Sequence, residues 1–112
     1  MPATTAAIDS DRTVATLINV FTVAPERQQE LVALLRHATE ETMKHLPGFI
    51  CANFHASHDG QRVVNYAQWE SESHYWAMRE NPDAQIHMDL AASIATDVQP
   101  RLFRVESHHS TG

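Results

Sequence analysis

The sequence has one cysteine, Cys51, and three glycines in 112 residues. A lone thiol excludes an intramolecular disulfide framework and a multi-thiolate metal site. It leaves Cys51 to packing, because a free cysteine behaves as a small buried hydrophobe. No phosphate loop, dinucleotide fingerprint, nucleophile elbow or redox CxxC is found, so hydrolase and nicotinamide chemistry recede. Cations are scarce. Eight Lys and Arg against 14 Asp and Glu give a net charge of −6, with no basic cluster to follow a phosphate backbone, and nucleic acid is not an expected partner. No apolar run approaches the roughly 18 residues of a membrane span. The opening MPATTAAIDSDR lacks the basic region and apolar core of a secretory signal, and the expected location is the cytoplasm.

What is present describes a folded domain. Hydrophobic residues make up 43% and charged residues 20%, ordinary values for a globular chain. A chain of this length buries only about 60–70% of its unfolded surface, so a partner subunit is expected to help stabilise it.

Residues 1–12 are small and polar without an apolar period and read as a flexible arm. The domain spans 13–106, followed by a tail at 107–112. VATLINVFTV is a strand with an unusual internal Asn19. In APERQQELVALLRHATEETMKHLPG the apolar residues Leu31, Leu34, Leu35 and Ala38 share a helical face. Pro25 suits its first turn, and Pro47-Gly48 stops it. Two strand-like runs flank His58-Asp59-Gly60, a hairpin signal. Ser71 is placed to cap a helix over ESHYWAMRE, Asn81-Pro82 interrupts it, and DAQIHMDLAASIA resumes it. RLFRVES reads as the last strand. The order β-α-β-β-α-β predicts an α+β, ferredoxin-like sandwich with helices on one sheet face. Large side chains on both sides of the strands predict that the other face packs on the same face of a second subunit, giving a dimeric α/β barrel.

The run RVVNYAQWESESHYW concentrates the chemistry. Strand alternation puts Val63, Asn65, Ala67 and Trp69 on one face, and Val64, Tyr66 and Gln68 on the other. If the first face meets the helices, small Ala67 leaves a cavity bounded by an amide and an indole. That cavity suits a flat aromatic ligand with a carbonyl or phenolate oxygen. The plainer reading makes Trp69 a core residue and Asn65 an internal structural hydrogen bond. His74, Tyr75 and Trp76 follow on the next helix, where aromatics at helical spacing also fit a core. Asp83 and His87, spaced i,i+4, permit a salt bridge or an oriented base. Eight histidines are many, yet His55 and His58 sit near the hairpin, His108 and His109 in the tail, and no metal motif is formed. No metal is expected.

NYAQWESE, with LPGF at 46–49 and FHASHDG at 54–60, resembles the antibiotic biosynthesis monooxygenase domain, and most closely its quinone-forming members from aromatic polyketide pathways. The resemblance covers roughly residues 13–106. It implies a ferredoxin-like fold dimerising through its sheets, and oxidation of anthrone-like or naphthol-like rings by molecular oxygen without any cofactor. It implies that Asn65 and Trp69 hold the substrate oxygen and that Tyr75 lines the pocket. Asn19, His74 and Tyr75 are the expected substrate-binding residues, and Asn65, Trp69 and His87 the expected catalytic ones. His87 is the first candidate base, because imidazole titrates near neutral pH, and His74 the second. The expected partners are a small aromatic substrate, oxygen and a second copy of the chain.

Two alternatives stay open. The wider superfamily resemblance takes in haem-degrading enzymes whose pockets use an asparagine, a tryptophan and a histidine, which Asn19, Trp69 and His87 supply. A non-catalytic dimeric module binding an aromatic metabolite fits the fold equally well.

Overall fold

In the computed structural model, which describes residues 5–112, the chain runs β1 (Ala15–Thr22), α1 (Gln28–Glu41), β2 (Phe49–Ala56), β3 (Arg62–Trp69), α2 (Glu72–Glu80), α3 (Pro82–Ile94) and β4 (Asp97–Phe103). The strands form one sheet in the order β2-β3-β1-β4, and every neighbouring pair is antiparallel. This is the ferredoxin-like α+β fold expected from the element order. Part of the proposed flexible arm, residues 1–4, lies outside the described residues. The carbonyl of Ala7 accepts a 2.8 Å bond from the buried Gln68 amide on the sheet's helix-free face.

Local chemistry explains the elements. Pro25 opens a 3-10 turn, Pro25–Arg27, that leads into α1. Buried Gln28 then ties the start of α1 to the hairpin by donating to the carbonyls of Ser57 (3.0 Å) and Arg62 (2.9 Å). The β2–β3 loop turns at Gly60, whose φ of 81° is in the left-handed region. Asp59 accepts there from the Gln61 N–H and the Ser57 hydroxyl. Ser71 caps α2 by accepting from the His74 N–H. Asn81 ends α2 and caps α3, which Pro82 begins.

Two strand details depart from simple alternation. The last strand begins at Asp97, four residues before the expected RLFRVES, and ends at Phe103. It includes Pro100, opposite Asn19, because β4 is an edge strand and pairs only with β1. In β2 the register slips between Phe49 and Cys51, so Phe49 pairs with Trp69 and Cys51 with Gln68. The bulge puts Phe49 on the inner face with Ala52 and Phe54, and it meets the Trp69 ring edge-on at 5.5 Å.

The inner face is the one bearing Asn65 and Trp69. Its core has two parts. One gathers Leu17, Ala67, Trp69, Tyr75, Met78 and Ala84, and the other Phe21, Val23, Leu31, Val63 and Ala91. In the β1–β3 register Leu17 pairs with Ala67, Asn19 with Asn65, and Phe21 with Val63. A layer of paired amides therefore separates the two apolar clusters. On the opposite face Ile18, Val20, Val64 and Tyr66 are only half-buried. No helix among the described residues is long and apolar enough to cross a membrane.

Candidate active site

A partly open cleft with a cavity volume of about 90 Å³ lies over that amide layer between the sheet and the helices. The strands contribute Asn19, Asn65, Ala67 and Trp69 to its floor, with Phe49 and Phe54 from β2. The helices contribute Leu35, Tyr75, Met78 and Met88. A larger cleft of about 320 Å³ adjoins it, bounded by His87 and Asp89 of α3 and by Val98 and Pro100 of β4. Asn19 and Arg79 border both.

Four of the six expected site residues, Asn19, Asn65, Trp69 and Tyr75, meet in the inner cleft. Alternation put Asn65 and Trp69 on one face, and register puts Asn19 beside Asn65. The side-chain oxygens of both asparagines are buried without a hydrogen-bond partner. Leaving such an acceptor unmade costs about 1–3 kcal/mol. Asn65 is therefore not the satisfied internal hydrogen bond of the plainer reading. Trp69 is 2% exposed and Tyr75 3% exposed, which makes both core residues as well as cleft walls.

His87 sits at the outer cleft. Its Nε2 lies 3.1 Å from the Thr42 hydroxyl, and the His37 ring approaches it edge-on at 6.0 Å. No ion pair joins it to Asp83. The imidazole turns toward the end of α1 instead of back along its own helix.

His74 is the exception, because it lines neither cleft. Its Nδ1 lies 2.7 Å from the Ser71 hydroxyl, and its ring packs on Gly48. A Cβ at Gly48 would come within 2.3 Å of the His74 ring, and the Gly48 φ of 84° favours glycine as well. His74 thus holds the Pro47-Gly48 turn against the start of α2. A residue at the N-terminal end of a capped helix faces the preceding turn, which the sequence spacing does not reveal.

The residue that sequence reasoning missed is Arg79. It stands one turn after Tyr75 on α2, and its Nη1 donates to the Tyr75 hydroxyl at 3.1 Å. The i,i+4 spacing of the two was the available signal. Among the described residues no group of three or more His, Cys, Asp or Glu side chains is arranged to hold a metal ion.

Comparison with known proteins places the chain in a family. Residues 15–89 match the model of the antibiotic biosynthesis monooxygenase family, a stretch from the start of β1 into α3 that contains every candidate site residue. The chain belongs to this family. Tetracenomycin-F1 monooxygenase of Streptomyces glaucescens is 47% identical to this member over 97 residues, covering 87% of this chain and 84% of the relative. A monooxygenase from the gene ActVA-Orf6 of Streptomyces coelicolor, solved in complex with Nanaomycin D, superposes with a TM-score of 0.79 at 27% identity. The match covers 93% of this chain and 96% of that one. SnoaB of Streptomyces nogalater, a cofactor-independent oxygenase, shares the fold with a TM-score of 0.70 at 22% identity, covering 85% and 95% of the two chains. The resemblance of NYAQWESE and its neighbours to this monooxygenase family is thereby borne out, and the edge-strand, bulge and amide-layer features describe how this member builds its cleft.

Proposed function

We propose that the protein is a cofactor-independent monooxygenase that uses molecular oxygen to convert an anthrone-like or hydroxylated polycyclic aromatic substrate into a quinone, in the cleft above the Asn19–Asn65 layer. The observation that carries the reading is that pair of half-buried asparagines between two apolar clusters, each with a buried side-chain oxygen left free to accept from a ligand O–H. Family membership and the similarity to tetracenomycin-F1 monooxygenase support the reaction class.

The chemistry follows from the side chains present. Amides, an indole, a phenol, a guanidinium and an imidazole bind and orient an oxyanion, and none of them readily carries an electron pair to oxygen. The substrate does that work. Loss of a proton from an anthrone or hydroquinone gives an electron-rich anion, which passes one electron to oxygen. The resulting radicals combine at ring carbon as a peroxide. Loss of water from the peroxide leaves the new carbonyl, so one oxygen atom enters the ring and the other leaves as water.

Asn65 and Trp69 are the donors for the ring oxygen, and a well-aimed donor of this kind contributes about 3–4 kcal/mol to the barrier reduction. Asn19 and Tyr75 orient the rings. His87, at the outer rim, is the base that takes the first proton and returns it to the departing water. His74 supports the turn beside the cleft and does not contact substrate.

The enzyme acts as a homodimer, with the helix-free face bearing Ile18, Val20, Val64 and Tyr66 packed on a second copy, and it works in the cytoplasm. The haem-degrading alternative is less well served, because Trp69 lines only the inner cleft and His87 only the outer one. The test is oxygen uptake by metal-stripped protein with a panel of anthrones and naphthohydroquinones, corrected for spontaneous oxidation. Enzyme-dependent uptake with quinone formation that disappears in Asn65→Ala supports the proposal. Binding of these compounds without uptake points to the non-catalytic module.

A further inference from the structure

Among the described residues, Arg79 is the only lysine or arginine lining either cleft, and it stands on the wall they share with Asn19, Phe21, Leu35 and Met88. The ion pairs of the described residues lie elsewhere, at Arg27–Glu30, Lys44–Glu40 and Arg104–Glu106, and no carboxylate pairs with Arg79. One of its N–H groups is used on the Tyr75 hydroxyl. A guanidinium has five N–H donors in a planar fork that matches an oxyanion. A half-buried cation beside apolar walls, with donors to spare and no counter-ion, is set to receive a negative charge from a ligand.

We propose that Arg79 selects an acidic substrate: an elongated polycyclic phenol or enol that spans both clefts and places its ionised oxygen against the guanidinium. This rests on the monooxygenase reading and adds to it the charge state and extent of the substrate. An opposite charge in contact lowers a phenol's pKa, so Arg79 enlarges the fraction of substrate bound as the anion. The proton leaves the phenol for solvent or His87, and the charge remains on the ring oxygen. The other groups facing Arg79 are few. Tyr75 is on its own helix, His87 and Asp89 come from α3, and the lining residues from β1 and α1 bring no titratable side chain. Neutral aromatics fit the same apolar walls without using the cation.

The experiment uses a hydroxyanthraquinone, whose ionised form absorbs to the red of the neutral one, titrated while bound to the whole protein, alongside its O-methyl ether. The bound phenol is expected to ionise about one to three pH units below the free compound. Arg79→Gln should abolish that shift while leaving the affinity for the ether within about twofold, and Arg79→Lys should keep part of it. Equal titration of bound and free phenol, or an Arg79→Gln protein that titrates like the parent, overturns the inference while leaving the cleft reading intact. Failure of both phenol and ether to bind the parent protein would overturn both.

Discussion

Asn19 and Asn65 face each other across β1 and β3, and the side-chain oxygen of each is buried without a partner. The relation separates stability from function. Asn65→Leu removes an unsatisfied acceptor and joins the two apolar clusters, so thermal unfolding should show a gain of about 1 kcal/mol or more. The same variant should lose about 10²–10³-fold in kcat, as when an oxyanion donor is removed. Scanning calorimetry and steady-state kinetics on one preparation measure both. A less stable Asn65→Leu protein would show that the amide is structural.

Trp69 has two duties, and two substitutions distinguish them. Trp69→Ala deletes a ring that is 2% exposed and packed on Phe49, and should cost about 3–5 kcal/mol in denaturant unfolding. Trp69→Phe keeps most of the apolar contact and loses the N–H donor. It should remain folded while turnover falls.

His87→Ala should lower turnover by about 10²–10⁴-fold, the usual contribution of a positioned general base, as steady-state kinetics would measure. Thr42→Val, which removes the hydroxyl 3.1 Å from His87 Nε2, should lower turnover less than His87→Ala does. An unchanged rate in His87→Ala would move the proton transfer to another group.

Gly48→Ala should destabilise the fold by more than 1 kcal/mol, about the least expected of a side chain forced into positive φ. It also drives a methyl into the His74 ring. His74→Ala should relieve the steric part only, so the double-mutant cycle should show coupling in thermal unfolding. Strict additivity would mean that the ring is not what confines Gly48.

Asp59 gives a pH prediction for the hairpin. Hydrogen bonds from the Gln61 N–H and the Ser57 hydroxyl hold its carboxyl below the usual value. A folded pKa below the unfolded one stabilises at pH above the unfolded pKa, and the contribution is lost as pH falls through the folded value. Asp59→Asn should therefore reduce the acid sensitivity of unfolding below about pH 4, a range set by the ordinary aspartate pKa. Amide exchange at Gln61 reports it.

Much of this was legible in the sequence because it depends on period. Alternation alone grouped Asn65, Ala67 and Trp69, and the change to helical spacing after Thr22 and Ser71 located the crossovers. The face that meets the helices was not legible, since both sides of β3 carry large side chains. Pro100 concealed the start of β4, because a proline argues against a strand unless the strand is known to lie at an edge. The bulge at Ile50 reverses the parity of β2, and no residue there announces it. Arg79 was overlooked because a charged residue on a short helix ordinarily faces solvent. Its role depends on where the adjoining cleft lies, which is a tertiary fact.

If oxygen from O₂ enters the ring in this cleft without a cofactor, heavy-isotope O₂ will label the product. With metal-stripped protein and an anthrone, one labelled oxygen is expected in the quinone, with loss of that enzyme-dependent labelling in Asn65→Ala. A quinone labelled from heavy-isotope water instead, after correction for carbonyl exchange, would contradict it.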